Sequence, residues 1–150
     1  TSLVGSKAYA ESFTAGQAGK LTSGFIEAFN NLDAAETYTV ELWDADAFGL
    51  PTGTAPLAST TVALPAEHGF HTAAATFATP PKLSKGQNYA LVVTVPDAAN
   101  NGVTVDPNNP CPGTFATSAT GALGAFQPDP NNRDMVMAAS IKVKRRHHRH

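Results

Sequence analysis

Apolar and polar residues alternate with a period of two along most of the chain, which predicts β-strands rather than helices. The clearest example is residues 87–95, where Tyr89, Leu91 and Val93 share one face. Turn residues separate these segments at short intervals, as is typical of antiparallel sandwiches. The other predicted strands are residues 8–14, 20–29, 37–44, 57–63, 71–78 and 134–143, with short strand candidates at residues 102–106 and 114–118.

The parity of the apolar residues predicts which side of each strand faces the core. In residues 8–14 the large side chains fall on one face and the small ones on the other. In residues 20–29 the expected core residues Leu21, Ile26 and Phe29 do not keep one parity, so a bulge or bend is predicted near Gly24. Seven or eight such strands predict an all-β fold, an antiparallel β-sandwich of jelly-roll type with about eight strands.

Length and composition fit a single domain over residues 1–143, followed by a short tail. The chain has 150 residues, and its 42% hydrophobic and 15% charged residues exclude a disordered protein. No apolar run reaches the roughly 20 residues that a membrane-spanning helix needs. One cysteine excludes an internal disulfide framework. A start without methionine indicates that a leader has been removed or that the chain is a piece of a longer protein. The few charges favour a bacterial extracellular or cell-surface protein.

The charges are unevenly distributed between the body and the C-terminal end. Residues 142–150 carry five Lys and Arg and no acid, which leaves five basic and 12 acidic residues before them, a net charge of −7. The tail could be solvated, contact a polyanion, bind a metal, or bind to an acidic neighbouring copy. As a partner-binding segment it comprises Lys144, Arg145, Arg146, His147, His148, Arg149 and His150.

Several short motifs follow one another in a fixed order: ESFTAG, YTVELWD, GLPTG, PLAS, NYALVV and finally DMVMAASIKV. Their order over residues 9–143 resembles the choice-of-anchor type of bacterial surface domain. The resemblance implies a secreted, jelly-roll-like β-sandwich, no catalysis and no residue-level site. Such modules often keep a tryptophan-bearing segment before the last strand. Here that segment reads ATGALGAFQPDPNN, and Phe126 is the nearest counterpart.

Two loops contain the string D-P-N-N, at residues 106–109 and 129–132. Carboxylate and amide oxygens are the ligands that calcium prefers, so these loops are weak calcium candidates. Asp, Asn and Pro are also the residues that tight turns require, and we favour this second interpretation. No other cofactor is expected. The candidate ligands are Asp106, Asn108, Asp129 and Asn131.

Exposed aromatic rings on a sheet could stack on sugars, and Trp43 and Tyr38 are the main candidates, with Tyr89 and Phe115 beside them. A core or rim position is the alternative, because a domain of this size buries most of its aromatic rings. Signals for catalysis are weak. No carboxylate pair has a spacing suited to glycoside hydrolysis, and His68 and His71 lack acidic neighbours that would complete a zinc site.

We therefore expect a non-catalytic extracellular module that acts by protein–protein association, as a self-assembling subunit of a surface layer or filament. The expected partners are copies of itself, other surface proteins or anionic polysaccharide, and not a specific nucleic-acid sequence. Free strand edges are predicted at residues 8–14 and 134–143, where a neighbour could add a strand. A carbohydrate-binding module, with calcium assistance as an option, is the alternative function.

Overall fold

Strands form wherever the alternating pattern occurs, and they pair into two antiparallel sheets that pack face to face as a β-sandwich. The computed structural model describes residues 1–108 and 112–143. None of these residues forms a helix with the length and apolar character that a bilayer crossing requires. The strands are β1 Ser2–Val4, β2 Ala8–Thr14, β3 Gly19–Asn30, β4 Glu36–Ala45, β5 Pro51–Thr52, β6 Ala58–Leu64, β7 Gly69–Thr76, β8 Lys82–Leu83, β9 Asn88–Thr94, β10 Asn101–Asp106, β11 Phe115–Ser118, β12 Gln127–Pro128, β13 Asp134–Met135 and β14 Met137–Lys142, with a 3-10 turn at Leu123–Ala125.

The chain passes repeatedly between the two sheets. Sheet I consists of β1, β10, β13, β14, β3, β8 and β7, with β3 at its centre. Sheet II has the order β12, β11, β2, β9, β4, and then β5 and β6, which both pair with β4. The predicted all-β sandwich is confirmed, and eight of the described strands have six residues or more.

The core lies between the sheets and contains the apolar side of each alternating segment. Leu91 and Val93 of β9 are buried there, as the sequence predicted. Tyr38 is fully buried, and its hydroxyl lies 2.9 Å from the carbonyl oxygen of Phe29 and 3.1 Å from Oδ1 of Asn101. The hydroxyl therefore joins the two sheets through a polar contact inside the sandwich.

A β-bulge interrupts β3 close to the predicted position. Ser23 pairs with Ser140 but Leu21 pairs with Ile141, so Thr22 is the extra residue of β3. The bulge lets Leu21 and the even-numbered Ile26 both point into the core. The same change of parity turns Phe29 outward, so the prediction that Phe29 belongs to the core is wrong.

The predicted free edge at residues 8–14 is also wrong. Strand β2 pairs with β9 on one side and with β11 on the other. Residues 134–142 pair with β10 through β13 and with β3 through β14. Among the described strands of sheet I, β1, β7 and β14 each pair with one neighbour, so the edge predicted at residues 134–143 is found along β14. In sheet II the outer edges are β12 and β6.

The outer face of sheet II carries a small core of its own. The small residues Ala8, Ala10 and Ala116 lie on this face and are buried beneath Phe126. Phe126 comes from the segment that the family resemblance singled out, and the 3-10 turn just before it contacts β5. The part of the outer face of sheet II formed by β2, β9 and β11 is thus covered by the chain itself.

Candidate functional site

The outer face of sheet I carries exposed aromatic side chains. Because odd-numbered residues of β3 point outward after the bulge, Phe25 and Phe29 lie on this face. Phe70 of β7 is the direct register partner of Phe29, and their ring centroids are 5.1 Å apart. Phe70 is 54% exposed and Phe25 is 44% exposed. We call this surface the aromatic face, and it comprises Val4, Phe25, Phe29, Phe70 and Val136.

The aromatic face extends across four adjacent strands. Val4 of β1 pairs with Gly102 of β10, which pairs with Phe29, so one row runs from Val4 to Phe70. Because Gly102 has no side chain, nothing projects from this face between Val4 and Phe29. The neighbouring row contains Glu27, whose partner on β7 is Thr72. A mostly apolar surface of this kind is unusual on a solitary soluble domain.

Three lysines stand side by side at the other end of the same sheet. Lys20 of β3 pairs with Lys82 of β8 on one side and with Lys142 of β14 on the other. All three are exposed. We call them the lysine row. Like charges directly opposite one another on a sheet repel, so the row favours contact with an anionic partner.

Four carboxylates occur on the strands next to β6 and β7 or in the corner that joins these two strands. Glu36 and Glu41 pair with residues of β6, Glu27 pairs with Thr72 of β7, and Glu67 lies in the corner that joins the two strands. No Lys or Arg occurs in β4, β6, β7 or residues 65–68. We call Glu27, Glu36, Glu41 and Glu67 the acidic flank. The described domain therefore has a basic end and an acidic edge.

A groove of about 550 Å³ runs between the edges of β6 and β7. Residues 61–65 form one wall and residues 70–74 form the other. In the part of the chain that the structure describes, β6 pairs only with β4 and β7 only with β3. Alternate backbone N–H and C=O groups on such edges point away from their own sheet and can pair with an added strand. We call this feature the edge groove.

The rings proposed from the sequence as sugar platforms do not form one. Tyr38, Tyr89 and Phe115 are buried in the core. Trp43 points outward from sheet II but is partly buried against the cluster that Phe126 covers. The exposed rings belong to sheet I instead, and only the parity change at the bulge together with the pairing of β3 and β7 reveals them.

The calcium candidates use their oxygens to hold turns. Asp106 accepts the backbone N–H of Asn108 at 2.8 Å. Asp129 binds the Arg133 guanidinium at 2.6 and 3.0 Å, and these hydrogen bonds lower the pKa of Asp129. Asn131 is exposed in the same loop. Within residues 1–108 and 112–143, no group of three or more His, Cys, Asp or Glu is placed to hold a metal ion.

His68 and His71 are held separately. The Nε2 atom of His68 lies 2.6 Å from Oδ1 of Asn31, and its ring meets Phe29 edge-on at 5.8 Å. His71 Nε2 lies 2.7 Å from the carbonyl oxygen of Glu67. Residues 144–150, which the sequence analysis proposed as a partner-binding segment, lie outside the described residues, and so does the single cysteine, Cys111.

One acidic side chain that the sequence analysis assigned no role is buried inside the sandwich. Glu11 is 3% exposed, and its Oε2 accepts the backbone N–H of Met135 at 2.8 Å. Its Oε1 is buried and has no hydrogen-bond partner among the described residues. Burial, with the nearby charge of Asp134 adding to it, raises the pKa of Glu11 to about 8 although the Met135 N–H acts in the opposite direction. The carboxyl group is therefore largely protonated at neutral pH.

Comparisons with known proteins give no match. No family model fits the chain, and neither a curated protein nor a solved structure is significantly similar to it. The surfaces described above are therefore the features from which a function can be inferred.

Proposed function

We propose that this chain is a non-catalytic, extracellular association module that buries its aromatic face against another protein, in the first place a second copy of itself. The observation that carries the proposal is the contrast between the two sheets. The chain covers the apolar part of the outer face of sheet II with Phe126 but leaves Phe25 and Phe70 of sheet I exposed. Contiguous exposed apolar surface on a soluble domain marks an interaction site.

The composition of the aromatic face fits a protein interface. Interface cores are enriched in aromatic residues and depleted of charge, with polar residues around the rim. Here Phe25 and Phe70 are bordered by Thr72, Thr76 and the single charge of Glu27. Association would remove the rings from water, and each Å² of apolar surface buried stabilises the complex by roughly 25 cal/mol.

The separation of charge supports a second copy as the partner. The lysine row and the acidic flank are different surfaces of one molecule, so the basic end of one copy can meet the acidic edge of the next. A contact between unlike surfaces builds open chains unless the rotation closes a ring. A repeating subunit of a surface layer or filament is the role that this geometry supports.

The aromatic face can be tested by exchanging its rings for polar residues. The Phe25→Ser/Phe70→Ser variant is expected to raise the dissociation constant of self-association at least tenfold, because two exposed rings leave the interface. Sedimentation velocity over a concentration series measures this. Phe48→Ser is the matched control, since Phe48 is 78% exposed in a turn away from sheet I.

The control variant is expected to associate like the wild-type chain. Both variants should keep their thermal midpoints within a few degrees, because the replaced rings are exposed in the monomer. A wild-type chain that sediments at 15.5 kDa at every concentration would refute self-association.

Carbohydrate binding is the second candidate, and the hydroxyl groups of Thr72 and Thr76 beside exposed rings favour it over other ligands. Sugars present apolar ring faces for stacking and hydroxyl groups for hydrogen bonding. A glycan array probed with the wild-type chain, with and without EDTA, tests this function. If it is right, Phe70→Ala abolishes the signal while Trp43→Ala keeps it. An empty array excludes it.

A further inference from the structure

The edge groove has the shape that a single extended segment requires. Its walls are consecutive strands, β6 and β7, that belong to different sheets and face one another without pairing. With about 3.3 Å per residue, five residues on each wall give a length of roughly 16 Å, enough for four or five extended residues. A strand placed there would find unpaired backbone groups on at least one wall, as in recognition by β-strand addition.

The charges around the groove select its occupant. Within the acidic flank, Glu27 pairs with Thr72 and Glu36 with Leu64, which both line the groove, and Glu67 lies in the corner between its walls. No Lys or Arg occurs on β4, β6 or β7. Within the whole sequence, the segment with the opposite character is residues 144–150, which contain four Lys and Arg, three His and no acid. Complementary charge increases both the rate and the specificity of such an encounter.

The direction of the chain indicates that the segment comes from another molecule. Strand β14 runs antiparallel to β3, from Met137 beside Ile26 to Lys142 beside Lys20. The β7 wall of the groove, residues 70–74, pairs with residues 25–29 of β3. The chain therefore leaves sheet I heading away from its own groove, and a neighbouring copy is the simpler donor.

We propose that the edge groove binds residues 144–150 of a second copy as an added extended segment, which links copies head to tail. The proposal rests on the self-association proposed above and names the contact that propagates it. Donor and acceptor are different surfaces, so each copy can give its own tail and accept another. The aromatic face then provides additional buried area along the same sheet.

The experiment uses the full chain and a fluorescent peptide of residues 142–150. Fluorescence anisotropy is expected to show saturable binding of the peptide to the wild-type chain. Ala63→Lys/Glu67→Lys places positive charge at the groove and should weaken binding at least tenfold. Thr54→Lys adds a lysine in an exposed loop between β5 and β6 and should leave the affinity within twofold of wild type. Equal weakening by both variants would show diffuse electrostatic attraction and would overturn the assignment to the groove.

A charge exchange between copies tests the head-to-tail geometry. A chain with Arg145→Glu, Arg146→Glu and Arg149→Glu should lose self-association, and so should the Glu36→Lys/Glu67→Lys chain. Mixed together, the two should associate again, because the reversed tail now matches the reversed groove. If the wild-type chain associates but neither variant changes its sedimentation, the groove proposal is wrong while the proposed function stands. A wild-type chain that stays monomeric removes the proposed function itself.

Discussion

Glu11→Gln is expected to stabilise the folded protein at neutral and alkaline pH and to flatten the dependence of its stability on pH. The pKa of Glu11 is about 8 in the folded protein and near 4.5 for an ordinary glutamate, the value expected in the unfolded chain. Between these values the folded state holds a proton that the unfolded state has lost. The contribution of Glu11 to stability is therefore largest below about pH 4.5 and falls as the pH rises towards and through 8.

The size of the effect follows from the same pair of values. Each unit between the two pKa values lowers the free energy of unfolding by roughly 1.4 kcal/mol. The total loss of stability is therefore on the order of 4–5 kcal/mol once the buried carboxylate is fully ionised. Glutamine removes the ionisation and can still accept the backbone N–H of Met135 through its amide oxygen. The remaining cost is the burial of one amide NH₂ group, about 1–3 kcal/mol if it finds no acceptor.

Urea denaturation of the wild-type and variant chains between pH 5 and pH 9 measures this effect. The wild-type free energy of unfolding should decline across the range more steeply than that of Glu11→Gln, so that the variant gains most at pH 9. Glu67→Gln, in an exposed corner, is the control and should follow the wild-type curve. Parallel curves for all three proteins would show that Glu11 is not the group responsible.

Strand positions and inward faces could be predicted from the sequence because both follow from local alternation. The segment around Leu91 is buried as expected, and the predicted strand at residues 8–14 matches β2. The bulge in β3 could also be predicted, since the parity of Leu21 and Ile26 conflicts within one segment. The local pattern is sufficient to predict a strand and its inward face wherever one side of that strand must be apolar.

Edges could be predicted only in part, because they depend on pairings between residues far apart in the chain. The edge at residues 134–143 is found along β14, whereas the one at residues 8–14 is not. The sequence predicted an edge at β2, but β11, about a hundred residues later in the chain, pairs with it. The free edges of β6 and β7 have no distinguishing pattern, since Ser, Thr and Ala at their outward positions suit an edge or a centre equally well. The edge groove is consequently visible only in three dimensions.

The candidate site was missed for a related reason. Trp43 has the outward parity of an exposed ring, but Leu50 and the segment around Phe126 fold back against the cluster on which it packs. Phe29 and Phe70 come from segments with no special motif, and they become a surface only through the register of β3 against β7. A ring's exposure depends on what the rest of the chain places over it.

Phe126→Ala is expected to destabilise the fold by about 3–5 kcal/mol, the usual cost of deleting a buried phenylalanine ring. Phe126 is buried over Ala8, Ala10 and Ala116, whose short side chains cannot fill the space that the ring leaves. The sole tryptophan, Trp43, packs against the same cluster, so its fluorescence should shift to the red and become more sensitive to acrylamide. Gln127→Ala, at the next and exposed position, should change neither property.

The effect of Phe70→Ala on sheet I, compared with that of Phe126→Ala on sheet II, shows which of the two outer faces is available for binding. Phe70→Ala removes a ring of the same size, yet it should cost less than about 1 kcal/mol in the monomer because the ring is already half in water. If Phe126→Ala reduces stability and Phe70→Ala reduces only association, one sheet is completed by its own chain and the other by a partner. Equal losses of stability from both variants would mean that the aromatic face belongs to the fold and is not available for binding.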